Sequence, residues 1–307
     1  MANDTQVVTV GPLMADFEHA LIERFGALPI EQVQAGSPSI RVAVTTGRTG
    51  VDKAVMDRFP SLEAIVNFGV GYDATDVDEA ARRGIAVSNT PDVLTDCVAD
   101  TAVALVLDAM RGFTAADRFV RRHEWATGNL FPLTRRVSGA RAGILGLGRI
   151  GRAVAHRLSA FGMTICYHNR EPKADVTYMY ADSAVELAHQ VDVLIVTAAG
   201  GDASRHLVNA DVLQALGPNG FLVNVARGSI VDEAALVSAL ESGSLAGAGL
   251  DVFADEPRVP PSLINRDDVV LLPHLGSGTV ETRADMRDLA LANVAQFLAD
   301  GTLRTPI

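Results

Sequence analysis

Short apolar runs of strand length alternate with stretches of helical periodicity along almost the whole chain, which predicts an α/β protein built on parallel sheets. Before Pro91, four runs read as strands: VVTVG, RVAVTT, LEAIVNFG and IAVSNT. Helical segments such as Ala15 to Phe25 and Asp52 to Arg58 lie between them. From Asp92, the segment DVLTDCVADTAVALVLDAMRGFTAADRFVRR repeats apolar residues at helical spacing (Val98, Ala102, Leu105, Val106, Ala109) and meets no glycine or proline before Gly112. It predicts a connecting helix with a domain boundary near its start. A second series follows: RAGILGLG, TICYHN, VDVLIVTA, GFLVNVA, AGAGLDV and VVLLPH. Six strand-like runs with helix-length spacers fit a doubly wound dinucleotide-binding sheet. After His274 an amphipathic helix is expected from about Thr279 to Leu298. Packed back on the first domain, it would make that domain discontinuous, with residues 1–95 plus 277–307 in one domain and 96–276 in the other.

Composition narrows the function. A length of 307 residues suits two domains, and 48% hydrophobic with 21% charged residues excludes a disordered chain. The net charge of −11 gives no global attraction to nucleic acid or to anionic membranes. An anionic ligand must therefore be captured by local positive groups. Cys97 and Cys166 show no CxxC and no metal-ligand spacing, so two reduced thiols in a cytoplasmic protein are expected, with no metal. The opening MANDTQVVTVG has an early Asp and no basic region before an apolar run, so no signal peptide is expected. The longest charge-free stretch, Val212 to Ala226, contains Gly217, Pro218 and Gly220, and reads as a turn feeding a strand, not as a membrane span.

The sharpest local motif is Gly146-Leu147-Gly148-Arg149-Ile150-Gly151, between strand-like AGIL and helix-like RAVAHRLSAFG. Its glycines suit a tight turn, close approach of backbone to a pyrophosphate, and close helix–strand contact. The helix start behind them offers free N–H groups and partial positive charge. In a chain with 27 glycines the pattern alone is weak evidence, and the strand–motif–helix context is what strengthens it. The second strand of the series ends Tyr167-His168-Asn169-Arg170, with no acid before Glu171. A binder of NAD usually carries Asp or Glu there for the ribose 2′-OH. A carboxylate would repel a 2′-phosphate, whereas Arg170 can pair with it and Asn169 can donate a hydrogen bond. The expected cofactor is NADP(H) in preference to NAD(H).

Three ionisable residues follow strand-like runs of the second series: Arg227 after FLVNVA, Glu256 after AGLDVF and His274 after VVLLP. Ligands of doubly wound folds bind beyond the carboxyl ends of strands, so the three can face one crevice. A guanidinium clamps a carboxylate and a carbonyl oxygen. Histidine can protonate the alkoxide that forms when a carbonyl carbon receives hydride. A carboxylate beside it favours the imidazolium and fixes the ring. The chemistry that suits the set is reduction of a small anionic 2-keto acid.

GLGRIG, VNVARG, GAGLDVFADEP and LLPHLGSGT, in that order, resemble the D-isomer-specific 2-hydroxyacid dehydrogenase family over about Asn67 to Glu281. The resemblance implies a Rossmann cofactor domain and a flavodoxin-like substrate domain completed by the C-terminal helix. It implies Arg227 for substrate orientation, His274 as general acid/base and Glu256 as its partner. It also implies Ala226 and Asp251 at the cofactor, with Asp251 at the nicotinamide end, and the Val70-Gly71 backbone of NFGVGYD on the substrate carboxylate. A homodimer through the cofactor domains is implied too. YHNREP and FGVGYD are most similar to the NADPH-preferring glyoxylate, hydroxypyruvate and hydroxyphenylpyruvate reductases. Glyoxylate and hydroxypyruvate are therefore the expected substrates, with hydroxyphenylpyruvate and 2-ketogluconate as alternatives. A non-catalytic dinucleotide sensor on the same fold, like the family's corepressor branch, is the competing class. The segment HEWATGNLFPLT, with Trp125 and Phe131, is a candidate to meet a partner subunit.

Overall fold

Consecutive residues of the central strands are buried, so the strands are covered on both faces and read as continuous apolar runs, not as alternating ones. The computed structural model describes residues 5–307. Met1–Asp4, the first residues of the stretch read for a signal peptide, lie outside them. The chain forms two units, one of residues up to Leu94 with Thr279–Ile307, the other of Thr95–Gly278.

The first unit opens with strand β1 (Val7–Thr9), helix α1 (Ala15–Phe25), β2 (Leu28–Pro29) and β3 (Val42–Thr46). It continues with α2 (Lys53–Arg58), β4 (Ala64–Phe68), α3 (Val77–Arg82) and β5 (Ala86–Ser88). The sheet order is β2-β1-β3-β4-β5 with every pair parallel, the order of flavodoxin-like folds. Val8, Ile40, Ala43, Met56, Phe59 and Ile65 form its core. The short helices are started by side chains: Asp52 accepts from Val55 N–H and Asp76 from Glu79 N–H. Strand β2 escapes sequence reading because two residues ending in proline give no period to detect.

The second unit begins with α4 (Thr95–Arg111) and α5 (Phe113–Arg121). The single connecting helix expected here is thus broken, at Gly112 with φ +62°. Asp108 of α4 receives Thr114 N–H at 2.8 Å and Thr114 Oγ1–H at 2.5 Å, so one carboxylate starts the second helix from the end of the first. Then come β6 (Arg141–Leu145), α6 (Arg149–Ser159), β7 (Thr164–His168), β8 (Met179–Tyr180), α7 (Ala184–Gln190) and β9 (Val193–Val196). The unit closes with α8 (Ala210–Leu216), β10 (Phe221–Asn224), α9 (Glu233–Glu241), β11 (Gly247–Leu250), α10 (Pro261–Ile264) and β12 (Val269–Leu271). The seven parallel strands run β12-β11-β10-β9-β6-β7-β8, the doubly wound order with one strand more than the six expected. The addition is β8, two residues paired to Cys166 and Tyr167. The charge-free stretch from Val212 begins inside α8, which Asn209 caps through Val212 N–H, so its first part is helix and not turn. Helix α4 lies close on β11, because a Cβ at Gly249 would stand 3.1 Å from Leu105 Cβ.

The last helix, α11 (Val280–Asp300), starts at Thr279, whose side chain accepts from Thr282 N–H, and belongs to the first unit, where it packs on β4. Its buried Asn293 ties down the carboxy-terminal tail: Oδ1 accepts from Arg304 N–H at 2.9 Å and Thr305 N–H at 3.0 Å, and Nδ2 donates to Thr305 Oγ1 at 3.0 Å. Thr305 Oγ1–H passes the connection to Asn89 O at 2.6 Å. Among the described residues no helix is long and apolar enough to cross a membrane. Replacing Asn293 with Ala strands two tail amides, and we expect urea unfolding to show a loss of ~1–3 kcal/mol. Unchanged stability would remove Asn293 from this role.

Candidate active site

The site is assembled where β10, β11 and β12 end. At the end of β10, Asn224 is buried and bends the chain back on itself, with Oδ1 accepting from Ala226 N–H at 3.0 Å and Nδ2 donating to Arg227 O at 2.9 Å. Arg227 is half-buried and donates from Nη1 to Ala226 O at 2.7 Å. The next residue, Gly228, has no room for a side chain, since a Cβ there would fall on the Phe253 carbonyl. That absence brings the loop bearing Arg227 against the loop bearing Glu256.

Asp251, directly after β11, is 1% exposed and fully engaged. Its N–H donates to Asn224 O at 2.9 Å, and its carbonyl accepts from His274 N–H at 2.9 Å. Its Oδ1 accepts from Leu275 N–H at 2.5 Å and its Oδ2 from Gly276 N–H at 2.8 Å. One residue therefore holds three consecutive amides of the turn after β12. His274 adopts φ +56° in that turn, a backbone state that side-chain-bearing residues reach only when their surroundings impose it.

The turn delivers the imidazole to Glu256. His274 Nδ1 lies 2.8 Å from Glu256 Oε2, and Glu256 Oε1 accepts from Phe253 N–H at 3.1 Å. An ionised carboxylate only accepts, so the ring proton of this bond sits on Nδ1. The His274 side chain is 36% exposed and that of Glu256 14%, so the acid is covered while the imidazole reaches solvent. Burial pushes the Asp251 carboxyl up from the ordinary carboxylate range, and its two amide bonds pull it partly back.

The glycine motif forms the turn from β6 into α6. Gly146 has φ +103°, and a Cβ on it would stand 2.5 Å from Ala198 Cα and N. Thr197 Oγ1–H closes the turn on Gly146 O at 2.8 Å. A Cβ on Gly151 would strike the Gly146 carbonyl, so helix and strand touch there. Gly148 is the opposite case: it is exposed, a Cβ would meet nothing within 4 Å, and as N-cap of α6 it supplies no side chain to the first helical amides. Arg149 is exposed at the helix start and Ile150 half-buried behind it. This cradle, open at one glycine and tight at the others, fits a dinucleotide pyrophosphate. Leu147 is buried, and its N–H donates to Asn169 Oδ1 at 2.6 Å. Arg170, beside it, is exposed.

The structure thus joins Asp251, Glu256 and His274 directly, braces Arg227 beside them, and gathers Leu147 with Asn169. Val70 and Gly71 lie in the first unit after β4. There Asn89 Nδ2 donates to Val70 O at 2.8 Å, and a Cβ on Gly47 would strike Gly71 O. Sequence reading passed over Asn224, Thr197 and Asn89. The trace of Asn224 is a lone amide closing the otherwise apolar FLVN. Trp125 is 68% exposed, and Leu130 and Leu133 of the same segment are 89% and 102% exposed. Phe131 packs edge-on against Phe119 at 5.5 Å. Among the described residues no group of three or more His, Cys, Asp or Glu is arranged to hold a metal.

Known proteins resemble this chain over most of its length. Residues 103–276 match the profile of the D-isomer specific 2-hydroxyacid dehydrogenase, NAD binding domain. A hydroxyphenylpyruvate reductase of Plectranthus scutellarioides is 47% identical, covering 88% of this chain and 86% of that protein. A 2-ketogluconate reductase of Gluconobacter oxydans is 42% identical with both chains covered in full. The crystal structure of an NADPH-dependent glyoxylate/hydroxypyruvate reductase from Sinorhizobium meliloti, in complex with NADP and malonate, superposes with a TM-score of 0.93. It is 44% identical and covers 99% of this chain and 97% of that one.

Asp251 gives a pH test with a definite sign. Its carboxyl is raised in the fold, so the folded protein keeps the proton over a window where the unfolded chain has lost it. Stability of the wild type relative to Asp251→Asn should therefore fall as pH rises from the ordinary carboxylate range through the raised value, then level off. Urea unfolding across acid pH measures the difference, and one that grows with pH in that window would contradict it.

Proposed function

The chain belongs to the D-isomer specific 2-hydroxyacid dehydrogenase family, and from that premise we propose that it reduces a small 2-keto acid to the D-2-hydroxy acid with NADPH. The observation that carries this is the His274–Glu256 pair at 2.8 Å, with the imidazole partly exposed to solvent. Nδ1–H is committed to the carboxylate, so Nε2 is the atom that faces chemistry. The nicotinamide, when bound, supplies hydride to the carbonyl carbon. His274 gives its Nε2 proton to the carbonyl oxygen, so the C=O double bond becomes C–H and O–H. Glu256 keeps the ring in place and balances its charge. Arg227 clamps the substrate carboxylate and carbonyl oxygen, and the Val70-Gly71 backbone is assigned to the carboxylate as well. The substrate-binding domain is residues 1–95 plus 277–307, and residues 96–276 bind the dinucleotide.

NADPH is assigned over NADH because Asn169-Arg170 ends β7 without an acid, and Arg170 is exposed there for a 2′-phosphate. The Gly146–Gly151 loop takes the pyrophosphate, and Ala226 and Asp251 line the nicotinamide end. Glyoxylate and hydroxypyruvate are the assigned substrates, in line with the Sinorhizobium meliloti enzyme and with a glyoxylate/hydroxypyruvate reductase of Arabidopsis thaliana, 42% identical over 98% of both chains. Trp125, Leu130 and Leu133 are too apolar to stay in water as a group, and a second copy of the chain is the assigned cover, giving a homodimer. A reducing cytoplasm is the assigned compartment, since Cys97 and Cys166 form no CxxC pattern.

The test is the rate of NADPH and NADH oxidation with glyoxylate, hydroxypyruvate, hydroxyphenylpyruvate and 2-ketogluconate. His274→Ala should lower kcat by ~10²–10⁴. Arg170→Asp should shift the NADPH/NADH preference by about tenfold or more toward NADH. No turnover of any of the four would overturn the assignment, and an unmoved cofactor preference would remove Arg170 from it.

A further inference from the structure

Asn169 ends β7 at the place where a binder of NAD carries its acid. The sequence suggests that its side chain donates to a 2′-phosphate, a task for Nδ2, whereas the carboxamide oxygen has a partner of its own. Its Oδ1 accepts from Leu147 N–H, inside the glycine loop, at 2.6 Å. Its backbone is gripped from the other side, where Tyr180 Oη–H donates to Asn169 O at 3.0 Å. Tyr180 is itself set by its neighbours: Tyr167 meets it edge-on at 5.4 Å, and the His168 ring stacks on it at 6.1 Å. His168 is fixed through Nδ1 to Ala181 O at 2.9 Å. Strands β7 and β8 therefore clamp Asn169, and Asn169 clamps the loop.

We propose that Asn169 is a positioning residue for the glycine loop, the neutral counterpart of the acid found in NAD binders. The bond to Leu147 needs an oxygen acceptor, and amide and carboxylate offer that oxygen at the same reach. The amide does so without the charge that would repel a 2′-phosphate, which is left to Arg170. Loop geometry and phosphate preference are then separable properties of one position. This rests on the dinucleotide site proposed above.

The two roles differ in which cofactor suffers when the side chain is removed. The experiment is fluorescence titration with NADPH and with NADH, plus steady-state kinetics, on the wild type, Asn169→Ala and Asn169→Asp. A positioning role predicts that Asn169→Ala weakens both dinucleotides alike, by between about threefold and tenfold, with kcat little changed. Asn169→Asp should restore NADH binding to the wild-type level or better, while NADPH stays at least as weak as in Asn169→Ala. Loss confined to NADPH in Asn169→Ala would make Asn169 a phosphate ligand and overturn the proposal. Equal loss of both cofactors in Asn169→Asp would also overturn it, because a carboxylate oxygen would then have failed to hold the loop. A wild type that binds neither dinucleotide would overturn the cofactor site itself, and that result is read before any variant is made.

Discussion

The site depends on one buried carboxylate. Asp251 spans the Leu275 and Gly276 amides with its two oxygens and takes His274 N–H on its carbonyl, while its own N–H returns to Asn224. Four hydrogen bonds from a single residue bind the ends of three adjacent strands into one frame. Hydrogen bonds to a charged acceptor are the stronger kind, and here they oppose the burial that pushes the carboxyl up and hold the left-handed backbone of His274 in place. They hold the turn in the form that carries the imidazole to Glu256.

Around that frame, loop meets loop as backbone against backbone. Gly228 lets the Arg227 loop press on the Phe253 carbonyl, and Gly146 and Gly151 do the same for the strand and helix of the cofactor loop. Side chains could not achieve such approaches, and rigidity follows, because no rotamer can relax to admit error. The same economy holds at β7, where one amide oxygen holds the glycine loop proposed for the pyrophosphate. Precision at the proposed site is thus built from strand ends braced by short polar side chains, with the proposed catalytic groups placed on the braces.

Much of this was legible in the sequence. Four apolar runs before Pro91 became β1, β3, β4 and β5, and six after it became β6, β7, β9, β10, β11 and β12. Residues at strand ends, Arg227, Glu256 and His274, stood out because ionisable groups follow apolar runs there. What escaped had a physical reason. Strands β2 and β8 are too short for periodicity, and the break between α4 and α5 rests on a glycine and on Asp108 acting across it. The bond from Leu147 N–H to Asn169 Oδ1 escaped because sequence shows which groups can bond, not which amide lies within reach. Asp251 likewise reads as one more acid in LDVFADEP, and only the fold shows both its oxygens turned onto the loop after β12.

Whether Asp251 presents His274 to Glu256 with the ring proton on Nδ1 can be read by NMR of the protein with ¹⁵N-labelled histidine. His274 should show a protected Nδ1–H proton shifted far downfield, lost in Glu256→Gln and displaced in Asp251→Asn. A His274 ring protonated on Nε2 alone, or an Nδ1 signal indifferent to Glu256→Gln, would contradict it.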